Sequence, residues 1–451
     1  VICGTGFRRS AELPSIYESA EKEFFEMKQL DERLDQVHAL IETIGAKRDQ
    51  IVSTAVKDTG FTHRECNMEV DIVLERLQSF DEMQPVFAKR RPLCKPQQHV
   101  ALVLPYNGSA WLNTTIMSIY LVGNCVRVKF ASRDSGIARL TESIYQPIFG
   151  TAIDFDYADG RTFLERAVTD PDVPAICLFG TDRNAWPYRE AIRRQRKKFV
   201  FEGPGKDPFI VLAGADLEAA ARELAFSKYL YAGQTCTAPE RVYLNKSVAD
   251  AFLEIFLSLS RRVKIGDPQD PKTEMGPVAS RLAVENIQRQ LKDATARGDK
   301  ILLGGRIERN LVYPTVVVNA THDMLGMQEE TFGPVVFIAT FETAEEAVAL
   351  ARDNRYGLRA TVYGPADEAE KVGQALVGRP YCHPVDEMLF GKFGTLAVNQ
   401  GRSQSWRGAL VFKPIGGYGR SGWIWETCDD RFILKQGPKL LSLETSIEKS
   451  V

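Results

Sequence analysis

This chain predicts an α/β fold in which parallel sheets are covered by helices, on two observations. Short apolar runs bounded by turn residues alternate with stretches of helical periodicity, the pattern of β-α-β units. The alternation then restarts: beyond Gly180-Thr181 a strand over Phe209–Ala213 opens a second α/β unit. A length of 451 residues fits such a division, because a single hydrophobic core rarely grows that far.

The elements follow in order. Leu34, Val37, Ile41 and Ile44 recur at helical spacing, and Gly60 stops a second helix over Ile51–Thr59. Arg90-Arg91-Pro92 and Lys95-Pro96 separate these helices from a strand over His99–Leu104, which Pro105 ends. Cys125–Phe130 alternates, with Val126, Val128 and Phe130 on one face and Arg127 and Lys129 on the other; Pro174–Phe179 is a further short apolar run. In the second unit Asp216 is a good N-cap for a helix to about Tyr231, Gly233 stops it, and Cys236 falls on the turn before a strand over Arg241–Asn245. Ser247 caps the next helix, and Gly266-Asp267-Pro268 opens a turn-rich loop. Tyr313–Asn319, Val335–Phe341, Ala360–Gly364 and Thr395–Asn399 read as strands, and Arg193–Lys198 reads as a solvated helix face.

Composition excludes several functions. Hydrophobic residues at 44% and charged residues at 26% are ordinary for a globular protein, and a net charge of −2 gives no field favouring nucleic acid or a membrane surface. No apolar run reaches membrane-spanning length, and no export signal opens the chain. Eight scattered cysteines without CxxC spacing, and five histidines without HExxH spacing, argue against a disulfide framework and a metal site. They favour a reducing cytoplasm.

The chemistry concentrates in two stretches. Gly233-Gln234-Thr235-Cys236 places a thiol on a glycine-anchored turn, and Glu202-Gly203-Pro204-Gly205-Lys206-Asp207-Pro208 supplies a carboxylate. A thiol with a carboxylate to handle water is the minimum needed to make and hydrolyse a thioester. With these, Gln328-Glu329-Glu330-Thr331-Phe332-Gly333-Pro334-Val335, Pro105-Tyr106-Asn107 and Pro414–Gly422 give five motifs, in an order and spacing that resemble the aldehyde dehydrogenase superfamily over about residues 30 to 445.

The resemblance implies roles. Cys236 would attack the aldehyde, Asn107 and the Cys236 N–H would hold the oxyanion, and Glu202 would activate water. Lys129 would bind the adenosine ribose of NAD or NADP, Gly180-Thr181 would lie at a helix N-terminus near the pyrophosphate, Glu330 would bind the nicotinamide ribose, and Phe332 would pack beside that ring. No GxGxxG is present, as this family's variant of the nucleotide fold implies. The family usually has a carboxylate where this chain has Ser132, followed by Arg133; its loss, with a guanidinium beside it, should admit the 2′-phosphate of NADP. The phosphate stretch is altered to Leu178–Ala185, with Asp182 adding a negative charge, and Gly108-Ser109 follows Asn107 without the usual proline. Gly378–Arg407, with Tyr381, His383, Arg402, Trp406 and Arg407, falls where relatives line the substrate tunnel.

The implied architecture has two Rossmann-like parallel-sheet domains and a small β oligomerisation flap. Residues 1–207, with a return segment 414–436 and a flap piece 88–98, form the nucleotide-binding domain; 208–413 carries Cys236; 437–451 is an oligomerisation strand, alternating over Lys439–Thr445. An exposed edge needs a partner, and the resemblance implies a homodimer or homotetramer. Two rivals stand beside the hydrolytic enzyme: a CoA-acylating dehydrogenase, and a catalytically silent relative that acts as a binding or structural protein.

Overall fold

The computed structural model describes residues 16–95, 97–108, 113–378, 381–383, 388–390, 392–401, 416–436 and 447–448. Two seven-stranded sheets organise them. The first runs, in spatial order, Arg431–Lys435, Gly422–Cys428, Lys198–Glu202, Ala175–Phe179, His99–Val103, Cys125–Lys129 and Ile153–Phe155. Its five strands from Lys198–Glu202 onward are parallel, and Gly422–Cys428 joins them antiparallel. The second runs Thr395–Val398, Arg359–Tyr363, Asp207–Val211, Pro239–Asn245, Val335–Phe341, Thr315–Val318 and Lys300–Leu303, and only the last pairing is antiparallel. The α/β expectation therefore holds.

Most predicted elements are found with shifts at their ends. Leu34, Val37 and Ile44 are buried on the helix Ile16–Ala46, and the helix Arg48–Thr59 stops at Gly60. Asp216 caps Leu217–Tyr229, its side chain accepting from Ala219 N at 3.0 Å. Ser247 does not cap its helix: it binds Asn245 in the preceding turn, and Ala249–Arg262 starts after Val248. Nor is Arg193–Lys198 one solvated face. The helix ends at Arg194, Lys197 is buried with its amine on the carbonyls of Asp170 and Val173, and Lys198 opens a core strand.

The hairpin 422–435 closes the first sheet. Trp423 and Trp425 alternate with Ile424 in the 422–428 strand, so both indoles enter one face while Ile424 enters the other. Trp425 packs on Phe199 at 5.4 Å and Trp423 on Phe201 at 4.1 Å, between ring centroids. Arg90–Arg91 pairs antiparallel with Ile447–Glu448, while Lys439–Thr445 lies outside the described residues. Trp425 is fully buried, so Trp425→Ala is expected to lower unfolding stability by about 3–5 kcal/mol, measured by urea denaturation.

Candidate active site

Candidate residues of the first sheet lie at the C-terminal ends of its parallel strands, where open α/β sheets bind ligands. Asn107 follows the His99–Val103 strand, Lys129 ends Cys125–Lys129, Gly180 follows Ala175–Phe179, and Glu202 ends Lys198–Glu202. Candidates of the second sheet lie at the opposite ends of their strands: Cys236 precedes Pro239–Asn245, and Glu330 and Phe332 precede Val335–Phe341. The two sheets meet end to end at the site.

Cys236 and Glu202 are in contact. The thiol and the carboxyl share a hydrogen bond, and burial pushes the Glu202 carboxyl up to about 8. Within 231–240 only Cys236 and Thr237 are partly exposed, so the thiol reaches the edge of the packed interior. Glycine permits the approach of the two motifs: a Cβ on Gly205 would sit 2.1 Å from the Cys236 carbonyl oxygen, and one on Gly233 would sit 2.3 Å from that of Gly333.

The third motif is bonded to the other two. Gly205 N donates to Glu330 Oε1 at 2.9 Å. Burial, then the neighbouring Glu240, raises the Glu330 carboxyl well above the carboxylate range. Phe332 adopts a left-handed backbone (φ 55°), and its N–H donates to Glu240 Oε1 at 2.8 Å. Glu240 Oε2 accepts from Lys206 Nζ at 2.9 Å and from Thr331 N at 2.7 Å, and Lys228 Nζ lies 3.8 Å from Oε1. Burial opposes the Glu240 charge, but the two lysines hold its carboxyl below the ordinary value.

The Asn107 segment joins through its neighbour. Tyr106 Oη donates to Gln234 Oε1 at 3.0 Å, and the Tyr106 ring meets Phe332 edge-on at 6.1 Å. The closing segment joins through Ser421, whose hydroxyl donates to Pro204 O at 2.6 Å and accepts from Gly357 N at 3.0 Å. Residue assignments made from the motifs passed over Gln234, Lys206, Glu240, Thr331 and Ser421 themselves. All lie inside or beside quoted motifs, and the opposite charges of Lys206 and Glu240 were a readable signal.

Farther along the same edge of the first sheet Lys129 is buried, its amine donating to Phe130 O. Burial lowers its pKa against the pull of Asp156, Asp134 and Asp159. Lys129 and Ser132 line one cavity of 160 Å³ with Ser135, Arg139, Asp156 and Tyr157. Arg133 does not serve that cavity as its sequence position suggested. Its guanidinium donates to the carbonyls of Asp58 and Ala279 and stacks 5.1 Å from the Tyr106 ring. Arg139 joins Lys129 as a cation on the cavity wall.

The phosphate segment opens a helix as expected, but a short one. Gly180 N donates to Glu202 O at 3.0 Å, and Thr181 precedes a helix of only 4 residues, Asp182–Ala185, with no side-chain cap. One turn carries little of the dipole of a full helix. The Asp182 charge is balanced by Arg420, 3.7 Å away. Of the tunnel candidates, Arg402, Trp406 and Arg407 lie outside the described residues, as does Ser109, and Tyr381 and His383 fall on a short strand.

Comparison with known proteins agrees with this geometry. The family model described as "Aldehyde dehydrogenase family" matches residues 1–427. A succinate-semialdehyde dehydrogenase (NADP(+)) of Deinococcus radiodurans is 28% identical over 431 residues, 90% of each chain. A D-glyceraldehyde dehydrogenase (NADP(+)) of Picrophilus torridus is 27% identical, covering 80% of this chain and 79% of its own. Among solved structures, succinic semialdehyde dehydrogenase of Streptococcus pyogenes, crystallised with NADP+, superposes with a TM-score of 0.79 at 24% identity, over 99% of this chain and 96% of that one. With the motif segments meeting around one thiol and a family match over most of its length, the chain belongs to the aldehyde dehydrogenase family.

Proposed function

We propose that the enzyme oxidises an aldehyde to a carboxylic acid with NAD(P)+, with Cys236 as nucleophile and Glu202 as general base. The hydrogen bond between the Cys236 thiol and the buried Glu202 carboxyl is the observation that carries this reading. Glu202 takes the thiol proton, and the thiolate adds to the aldehyde carbon. The Asn107 amide and the Cys236 N–H receive the oxyanion; one such donor is worth about 3–4 kcal/mol. NAD(P)+, when bound, supplies the acceptor for the hydride that leaves the tetrahedral carbon. Glu202 gives up the thiol proton to solvent, then takes a proton from water as the water oxygen attacks the thioester; the departing Cys236 thiolate recovers that proton from Glu202 as the acid is released. A base so placed favours water over CoA as the acyl acceptor.

The residues present fit the cofactor. The Lys129 amine and the Ser132 hydroxyl share a cavity wall and can meet a ribose, and no carboxylate at position 132 opposes a 2′-phosphate. Arg139 on the same wall offers it a cation. Glu330 would exchange its bond from Gly205 N for ribose hydroxyls, with Phe332 beside the nicotinamide and Gly180-Thr181 beside the pyrophosphate.

The two sheets support the division into a nucleotide-binding domain (1–207, with 414–436 and 88–98) and a catalytic domain (208–413). The pairing of Arg90–Arg91 with Ile447–Glu448 supports a flap formed with 437–451, and we assign it to a homodimer or homotetramer. Cys66, Cys94, Cys125, Cys177 and Cys428 are free thiols, which suits the cytoplasm.

Four outcomes test the reading. Cys236→Ala should abolish aldehyde oxidation, and Glu202→Gln should lower kcat about 10²–10⁴-fold while an acyl-enzyme accumulates, visible by intact mass. Below about 8 Glu202 is the neutral acid and accepts no proton, whereas above it the carboxylate can. The kcat profile should therefore rise with pH through about 8, and Glu202→Gln should lose that limb. Ser132→Glu should lower the ratio of kcat/KM for NADP+ over NAD+ by at least about tenfold, since it sets a carboxylate against the 2′-phosphate.

A further inference from the structure

The turn that carries Cys236 is held in an unfavourable backbone. Tyr231, Ala232 and Gly233 are left-handed in succession, with φ of 53°, 52° and 73°. Only the glycine adopts that region without steric penalty, so two residues with a Cβ must be held there by their surroundings.

Tyr231 is where they are held. Its ring packs 4.6 Å from Phe61, and its carbonyl accepts from Gln234 Nε2 at 2.9 Å. Its hydroxyl lies near the Glu69 carboxyl, and its backbone N–H donates to Glu65 Oε1. Phe61, Glu65 and Glu69 all come from the helix His63–Gln78 and the residues leading into it, far from Cys236 in sequence.

Glu65 has two tasks there. Its Oε2 accepts from Thr62 N at 2.7 Å and from Thr62 Oγ1 at 2.9 Å, closing the capping box of its own helix. Glutamine serves a capping box as well as glutamate does, since one acceptor suffices. The second oxygen is committed to Tyr231, and glutamine lacks a second acceptor. A carboxylate 3% exposed, with burial pushing it up to about 7, is costly for capping alone, which a residue at the surface can do.

We infer that Glu65 is a positioning residue for the reaction: by holding the Tyr231 N–H it fixes the left-handed turn that aims the Cys236 thiol at Glu202. The inference rests on the reading of Cys236 as nucleophile. A misplacement of the reacting atom by about 1 Å is enough to lower the rate about a hundredfold.

The test compares Glu65→Met, Glu65→Gln and Thr62→Ala with the wild-type enzyme, and uses Cys236→Ala as reference. Readouts are kcat, KM for NADP+, the rate of Cys236 alkylation by iodoacetamide mapped by mass spectrometry, and Tm. Glu65→Met should lower kcat by at least about tenfold and change the alkylation rate, with KM for NADP+ within about twofold. Glu65→Gln, which keeps the volume and one acceptor, should recover part of the kcat. Thr62→Ala, which weakens the cap but leaves the bond to Tyr231, should lower Tm and leave kcat and alkylation unchanged. Wild-type kcat and alkylation in both Glu65 variants would overturn the inference; so would an equal fall in kcat from Thr62→Ala, which would assign the effect to the cap. Should Glu65→Met not fold, Glu65→Gln against Thr62→Ala decides alone. Activity retained by Cys236→Ala would count against the nucleophile reading instead.

Discussion

The site depends on one buried carboxylate, Glu240. Its two oxygens collect the Lys206 amine and the backbone N–H groups of Thr331 and Phe332, with the Lys228 amine nearby. Lys206 belongs to the segment that carries Glu202, Thr331 and Phe332 to the segment that carries Glu330, and Glu240 to the strand that follows Cys236. Removing one partner of such a buried pair costs about 3–5 kcal/mol, because a charge is left in the interior without compensation. That cost is what holds three segments, distant in sequence, in one register. Thr331 extends the link to Gln290, its hydroxyl accepting from Lys206 at 2.8 Å and donating to Gln290 Oε1 at 2.7 Å.

A link this compact sets the electrostatics of what it surrounds. Gly205 against the Cys236 carbonyl and Gly233 against Gly333 hold the segments in backbone contact. In that packed interior Glu202 and Glu330 lose hydration, and Glu330 is also repelled by Glu240, so both carboxyls titrate above their usual range. Glu240 is buried as deeply and stays below it, since two amines face it. Three carboxyls in one interior thus divide into a permanent anion that holds the structure and two proton-sensitive groups beside the chemistry. Pairs whose surroundings separate their proton affinities are what acid–base catalysis uses.

Much of this was legible in the sequence where the signal is local. The alternation of Val126 and Val128 with Arg127 and Lys129 gave a strand, and Asp216 capped the helix that leads toward Cys236. The failures share a cause, which is that the deciding partner is remote. Lys197 reads as one more cation in a basic run, yet carbonyls of Asp170 and Val173 bury its amine. Arg133 stands beside the cofactor position in sequence, yet carbonyls of Asp58 and Ala279 turn its guanidinium away. The Gly422–Cys428 strand depended on an antiparallel place beside Lys198–Glu202, which no periodicity announces. Glu65 is not singled out by the sequence at all, because its contact with Tyr231 lies across the fold.

The two ends of the site are therefore free to vary separately. Around the thiol, the Glu240 network, the close glycine contacts and the Tyr231 turn constrain one another, so a change in any of them moves Cys236, Glu202 and Glu330 together. At the proposed adenosine end, Lys129 and Ser132 line an open cavity beside the first sheet, and among the described residues Asp182 pairs with the partly exposed Arg420. An exposed pair of that kind contributes about 0–1 kcal/mol. Cofactor preference can therefore change through residues such as 132, 139 and 182 at little cost to the fold. A change in the acyl-transfer chemistry would require the interior around Cys236 to be rebuilt.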